Sequence, residues 1–311
     1  NPNHRSIKRN GAFNMDERFR GLGVALVTPF RPNGGIDYAG LEKLLEHQIT
    51  GGVDYVVSMG TTGESVTLTK DEKKQLLATT VELVRNRVPV VLGVGGNNTA
   101  EVIDTLGGFE MDGVDGILSV SPYYNKPTQE GIYQHFKAIA QVSLRPIILY
   151  NVPGRTGSNM SAETTVRLAK DFKNVVAIKE ASGNLDQMSM ILKHKPKDFL
   201  LISGDDTLTL PAIAIGGVGV ISVIGNALPA ETSALVHAAL KGDLTTARKE
   251  HLRLIEIINL LFAEGNPGGI KYVLNALGIC GDHMRLPLVN ISEATEKKLY
   301  QALADAEVVK L

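Results

Sequence analysis

The sequence predicts an α/β protein, a (βα)8 TIM barrel with a C-terminal helical extension. Three observations carry that expectation. Eight short apolar runs recur along the chain, and each is followed by a stretch of helical periodicity. The alternation shows no break in topology of the kind an open doubly wound sheet, the alternative, would carry. The sixth run ends in a lysine, at the strand end where barrel enzymes build their active sites.

The apolar runs read as strands at 22–27, 54–59, 89–94, 114–120, 146–150, 175–179, 199–203 and 218–223. Several are nearly continuous in Val, Ile and Leu, as expected for parallel strands covered on both faces. Helical stretches lie near 37–50, 70–86, 98–112, 128–142, 161–171, 184–194, 205–216 and 228–240. Thr69 precedes an acidic first turn at Asp71 and Glu72, and Ser161 stands in the same relation to Glu163. Both patterns are helix starts, because a hydroxyl caps the exposed N–H groups there. Three further helical stretches, 244–261, 269–277 and 292–304, have no part in closing a barrel and are expected outside it or in an interface. Asn266-Pro267 reads as a helix start. The expected division is a flexible leader at 1–20, a barrel at 21–242 and an extension at 243–311. The leader is polar and aperiodic, and Met15 fits a biological start.

Composition narrows the function. With 311 residues and 43% hydrophobic content, the chain can bury one large core. A formal net charge of -1 gives no electrostatic case for nucleic acid or an anionic membrane. No apolar run reaches the ~20 residues of a membrane span, and no secretory segment is visible. The single cysteine, Cys280, excludes an intramolecular disulfide and a cysteine-rich metal site, and makes a cytoplasmic setting the default. The seven histidines form no HxxxH or HxH pair, so no metal is expected. His47 and His135 read as helix-surface or interface residues.

Lys179 closes the run Val175-Val176-Ala177-Ile178-Lys179. An amine kept from water favours its neutral form, which can condense with a ketone. The alternatives are a side chain that snorkels to solvent or one that pairs with Glu180. Strand alternation puts Val175, Ala177 and Lys179 on one face and Val176 and Ile178 on the other, toward the helices. The small Ala177 leaves room beneath a long side chain. Ile148 and Tyr150 share a face in the same way on strand five, so a tyrosine and a lysine meet at adjacent strand tips.

Other strand ends add candidates. Gly60-Thr61-Thr62-Gly63-Glu64-Ser65 offers two hydroxyls and exposed amides for a small carboxylate, or is a plain βα turn. Tyr123 and Tyr124 after strand four can serve as core or interface aromatics. Arg155, after strand five, can clamp a carboxylate bidentately or stand solvated. Asp205-Asp206 reads as a cap for the seventh helix in preference to a metal site, and Gly93-Val94-Gly95-Gly96 as a turn in preference to a phosphate loop.

Five motifs, GTTGES at 60–65, SPYYNKP at 121–127, YNVPGRTG at 150–157, IKEASG at 178–183 and SGDD at 203–206, occur in this order. From about residue 22 to the C-terminus the chain resembles the dihydrodipicolinate synthase family of the pyruvate-dependent class I aldolase superfamily. The resemblance implies a Schiff base between Lys179 and pyruvate, proton relay by Tyr150, and a Thr61 hydroxyl linking Tyr150 to Tyr124. It implies that Tyr124 reaches in from a neighbouring subunit of a homotetramer, a dimer of dimers. Thr62 and adjacent amides would hold the pyruvate carboxylate. Arg155 would bind the carboxylate of the second substrate, L-aspartate 4-semialdehyde. Gly204 and Ile221 would line the pocket through backbone groups. No cofactor is implied beyond the covalent pyruvate Schiff base itself. Lysine-inhibited members build an interface pocket that Ser65, Asn97, Glu101 and Tyr123 match. Lys70 and Lys73 stand where some of those members carry histidines, and their charge opposes a cationic amino acid. A sugar-acid or sialic-acid aldolase and a noncatalytic metabolite-binding barrel are the rival readings; the intact Lys179, Tyr150, Thr61 and Tyr124 set argues against the second.

Overall fold

Eight parallel strands close into a barrel in chain order in the computed structural model, which describes residues 17–308. They are β1 (Gly21–Ala25), β2 (Tyr55–Ser58), β3 (Val90–Gly93), β4 (Gly116–Val120), β5 (Ile147–Asn151), β6 (Val175–Glu180), β7 (Leu200–Ser203) and β8 (Gly219–Ser222). The ring is sealed by β1 against β8, with Gly21 opposite Gly219 and Val24 opposite Ser222. All eight fall within the predicted strands or one residue beyond them.

Helices α1 (Tyr38–Thr50), α2 (Lys70–Val84), α3 (Thr99–Gly107), α4 (Gln129–Val142), a short α5 (Pro153–Thr156), α6 (Ala162–Asp171), α7 (Leu185–His194), α8 (Thr209–Ala214) and α9 (Pro229–Leu240) accompany the strands. The hydroxyl caps operate as expected. Thr69 accepts from the Glu72 N–H while Glu72 accepts from the Thr69 N–H, a reciprocal capping box. Ser161 accepts from the Thr164 N–H. The stretch at 98–112 stops early at Gly107, and 205–216 is split into a 3-10 turn (Asp206–Leu208) and α8. The extension forms α10 (Leu244–Leu261), α11 (Gly268–Ala276) and α12 (Glu293–Asp305), with α10 packed on α9 and α12.

Two apolar cores follow from strand alternation. One lies between strands and helices. The other fills the barrel and includes Tyr55, Val91, Leu118, Ile148, Ala177 and Ile202. Tyr55 spans the lower interior, and the absence of a side chain at Gly23 makes room for it, since a Cβ there would meet the ring at 2.3 Å. Phe19 packs edge-on against Tyr55, with ring centres 5.9 Å apart. Of the expected leader, residues 1–16 lie outside the described residues, while Phe19 is fully buried as part of the interior core.

The alternation along β6 departs from the simple pattern. A register shift places Ile147 opposite Val175 but Ile148 opposite Ala177, so Val176 is an extra, bulged residue. Val176 therefore joins Ala177 in the interior core, and Val175 joins the outer one, the reverse of the expectation for that pair. Past the bulge the pattern resumes, with Ile178 outward.

Asp205-Asp206 does not cap its own helix. Neither side chain accepts a capping bond there. Asp206 Oδ2 instead accepts from the Val223 and Ile224 N–H groups, both at 2.9 Å, tying the loop after β7 to the end of β8. His135 is buried, not at the helix surface: its Nδ1 bonds the Thr99 hydroxyl at 2.8 Å, and burial lowers its pKa to about 4. Among the described residues no helix is long and apolar enough to cross a membrane, and no group of three or more His, Cys, Asp or Glu could hold a metal ion.

Candidate active site

Lys179 sits at the C-terminal end of β6, 7% exposed. Its register partner on β5 is Tyr150, and its Nζ lies 4.1 Å from the centre of the Tyr150 ring. The bulge beneath it leaves Ala177 on the interior side, which clears space for the lysine stem. Gly204, just past β7, closes on the same stem: a Cβ there would lie 2.6 Å from the Ala181 Cβ and 3.2 Å from the Lys179 Cγ. The Gly204 N–H donates to the Glu180 carbonyl at 2.8 Å, and Ile221 of β8 is buried in the interior core.

Glu180 does not pair with Lys179. Its carboxylate accepts from the Ser182 N–H at 2.9 Å, Asn151 Nδ2 at 3.1 Å and Gln187 Nε2 at 3.2 Å. Asn151 in turn accepts the Met160 N–H at 2.9 Å. This network ties the tips of β5 and β6 together on the face opposite the lysine. Burial raises the Glu180 pKa, and those same donors oppose the rise. The Asp205 carboxyl is also pushed up, first by burial and then by Asp206, while the Lys179 charge pulls it down. Burial likewise raises Asp206.

The loop at 60–65 forms a tight turn in which Gly63 N–H donates to the Gly60 carbonyl and Glu64 N–H to the Thr61 carbonyl. The Thr28 hydroxyl braces it by donating to the Gly63 carbonyl at 2.7 Å. Thr62 is buried, and its Oγ1 accepts from Asn266 Nδ2 at 2.9 Å. Thr61 is exposed. Among the described residues neither the Thr61 hydroxyl nor that of Tyr150 has a hydrogen-bond partner, so the expected Thr–Tyr–Tyr relay is not closed within one chain.

Tyr124 is 88% exposed and its backbone is left-handed, with φ of 72°. Its N–H donates to the Thr156 carbonyl at 3.3 Å, which holds the 121–127 loop against the loop after β5. Arg155 is exposed in α5; its backbone N–H donates to the Val152 carbonyl at 2.9 Å, and its guanidinium makes no hydrogen bond or ion pair among the described residues. Asn97 Nδ2 donates to the Tyr123 carbonyl at 3.2 Å, so two of the four residues matched to the lysine pocket are neighbours. Glu101 is exposed and Ser65 half-buried. Lys73 is half-buried, and burial lowers its pKa.

The sequence assigns Glu64, Asn266 and Lys271 no part of their own in the site. Glu64 and Lys271 form a buried ion pair behind the loop, and Asn266 reaches Thr62. A lone lysine inside the apolar stretch Gly268–Ala276 was the available signal for Lys271.

The model of the dihydrodipicolinate synthetase family matches residues 18–306. A protein from Parabacteroides distasonis named 4-hydroxy-tetrahydrodipicolinate synthase is 52% identical over 293 residues, covering 94% of this chain and 99% of that protein. The solved dihydrodipicolinate synthase of Aquifex aeolicus superposes with a TM-score of 0.90 at 43% identity, covering 93% of this chain and 98% of its own. A chloride-inhibited dihydrodipicolinate synthase from Acinetobacter baumannii, solved with pyruvate, gives a TM-score of 0.90 at 39% identity over 93% of this chain and 99% of its own. With nearly all of its length matched by the family model and half its residues shared with a named relative, the chain belongs to the dihydrodipicolinate synthetase family.

Proposed function

We propose that this chain catalyses the 4-hydroxy-tetrahydrodipicolinate synthase reaction of lysine and diaminopimelate biosynthesis, condensing pyruvate with L-aspartate 4-semialdehyde. The observation that carries the proposal is the buried Lys179 amine set against Tyr150 at the barrel rim. In the reaction, the Lys179 amine attacks the pyruvate ketone carbon and the carbonyl oxygen leaves as water. The resulting protonated imine is an electron sink, so a pyruvate methyl proton departs and an enamine forms. The Tyr150 hydroxyl passes these protons, through Thr61 and a partner subunit's copy of Tyr124. The enamine carbon then attacks the aldehyde carbon, and the aldehyde oxygen takes a proton. The substrate's own amine adds to the imine carbon and expels Lys179, closing the ring and restoring the free lysine.

The remaining residues bind. Thr62 and the neighbouring amides of the 60–65 loop hold the pyruvate carboxylate. Arg155, exposed and with a guanidinium that has no partner among the described residues, clamps the semialdehyde carboxylate. Gly204 and Ile221 contribute backbone groups to the wall. The reaction as written needs no metal or organic cofactor. The exposure of Tyr124 supports an assembly in which a second copy covers it, and we take that assembly to be a homotetramer. A reducing cytoplasm suits the single, buried Cys280.

The test is mass spectrometry after pyruvate and borohydride, with the modified peptide mapped, followed by turnover with aspartate semialdehyde and with sialic acid. One pyruvate adduct on Lys179 with turnover of the semialdehyde alone is expected. An adduct elsewhere, or sialic acid as the better substrate, refutes the proposal. Sedimentation velocity reads the assembly.

A further inference from the structure

Lys271 and Glu64 are fully buried, although they are charged and stand far apart in the chain. Lys271 Nζ lies 2.6 Å from Glu64 Oε2, donates to the His283 carbonyl at 2.8 Å, and stands 4.4 Å from the centre of the Phe30 ring. The other oxygen, Glu64 Oε1, accepts from the Arg285 N–H at 3.1 Å. Arg285 continues outward, bonding the Gly34 and Thr67 carbonyls and Glu72. Every one of these donors, and Asn266 on Thr62, comes from the segment after α10. The extension thus grips the 60–65 loop at two points, Thr62 and Glu64.

Stability alone does not account for such a pair. Desolvating two charges offsets most of their attraction, and a well-packed apolar pair is about as stable. What an apolar pair lacks is direction. Glu64 has a left-handed backbone, with φ of 52° and ψ of 38°, a conformation that non-glycine residues seldom adopt. Fixing both carboxylate oxygens fixes that turn, and with it the amides of the residues just before it. Asn266 occupies a lone pair of the Thr62 oxygen, which leaves the hydroxyl hydrogen free to be donated to a carboxylate.

We infer that Lys271 is a positioning residue for pyruvate: through Glu64 it holds the 60–65 loop in the shape that receives the keto-acid carboxylate. The inference rests on the reading of that loop as the carboxylate cradle. It assigns the C-terminal extension a part in substrate affinity as well as in packing. Lys271 touches no substrate, so its loss should act on pyruvate binding and spare the semialdehyde.

The experiment compares full-length wild type, Lys271→Met and the charge-balanced double variant Glu64→Gln/Lys271→Met, with thermal melting to establish folding. Expected for both variants is a rise of about tenfold or more in the pyruvate KM, a semialdehyde KM within about twofold of wild type, and full borohydride trapping at saturating pyruvate. Should Lys271→Met not fold, the double variant, which buries no lone charge, decides by the same criteria. A wild-type pyruvate KM in the folded variant, or equal losses on both substrates, overturns the inference. A double variant with wild-type kinetics does so too, since the pair would then serve only charge balance. A wild-type protein that traps no pyruvate overturns the proposed function and this inference together; a trapping wild type with unaltered variants overturns this one alone.

Discussion

Lys179 and Tyr150 are register partners on neighbouring strands, and the lysine amine stands over the tyrosine ring, 4.1 Å from its centre, without a hydrogen bond to its hydroxyl. The ring is a fixed wall for the amine, and the hydroxyl remains available to move protons. One residue therefore has two separable parts, and substitutions can divide them.

Lys179→Ala should abolish pyruvate trapping by borohydride and lower kcat by about 10³-fold or more, since the covalent route is lost. Labelling of the variant at wild-type stoichiometry would place the nucleophile on another lysine.

Tyr150→Phe keeps the ring wall and deletes only the hydroxyl. Because general acid–base assistance contributes about 10²- to 10⁴-fold, kcat should drop by about 10²-fold while pyruvate is still trapped, more slowly. Stopped-flow trapping measures this; an unchanged trapping rate would remove Tyr150 from the proton path.

Arg155→Ala should reduce kcat/KM for the semialdehyde by roughly 10- to 100-fold, the worth of a charge-assisted clamp, and leave the pyruvate KM nearly unchanged. Steady-state kinetics with each substrate varied decides. The same loss for both substrates would mean a structural role.

Gly204→Ala puts a methyl group where Ala181 and the Lys179 stem already stand. Overpacking of this kind costs about 1–3 kcal/mol, and here part of that cost falls on the position of the nucleophile. A lowered melting temperature together with a slower trapping rate is expected. Normal trapping in a destabilised variant would show that the lysine stem yields without consequence.

Glu72 carries a pH signature. Arg285 holds its pKa down, from 4.5 to about 2, by a side-chain hydrogen bond, with the Thr69 cap adding to the effect. A lowered carboxylate pKa contributes stability that is complete above its unfolded value and is lost as pH falls toward the folded one. The contribution is thus present above pH 4.5 and fades as pH falls toward about 2. Glu72→Gln should lose less stability than wild type across that window, read as urea midpoints at successive pH values. Parallel curves for the two proteins would contradict the assignment.

Much of this molecule can be read along the chain. Strand and helix periodicities are local, and so are the caps at Thr69 and Ser161, which is why the barrel and its element order follow from the residues. Lys179 and Tyr150 are legible for the same reason: alternation over a few residues puts each on the interior face, and parallel neighbours bring the strand tips together. The bulge at Val176 is not legible, because it arises from the pairing of β6 with β5 and leaves no mark in the apolar run. Asp206 was misread for a related reason. A carboxylate before a helix has the local form of a cap, but its partners lie at the end of β8.

The residues that hold the cradle mark the limit most clearly. Lys271 meets Glu64 across 207 positions and Asn266 meets Thr62 across 204. No period or spacing in a linear string encodes such a meeting, since it exists only once the extension has folded back over the barrel mouth. Hydrophobic periodicity acts between neighbours in the chain and so settles the barrel and the strand that carries the lysine. Burial of charge acts between neighbours in space, and it is the folded arrangement that selects which carboxylate the buried ammonium of Lys271 must find.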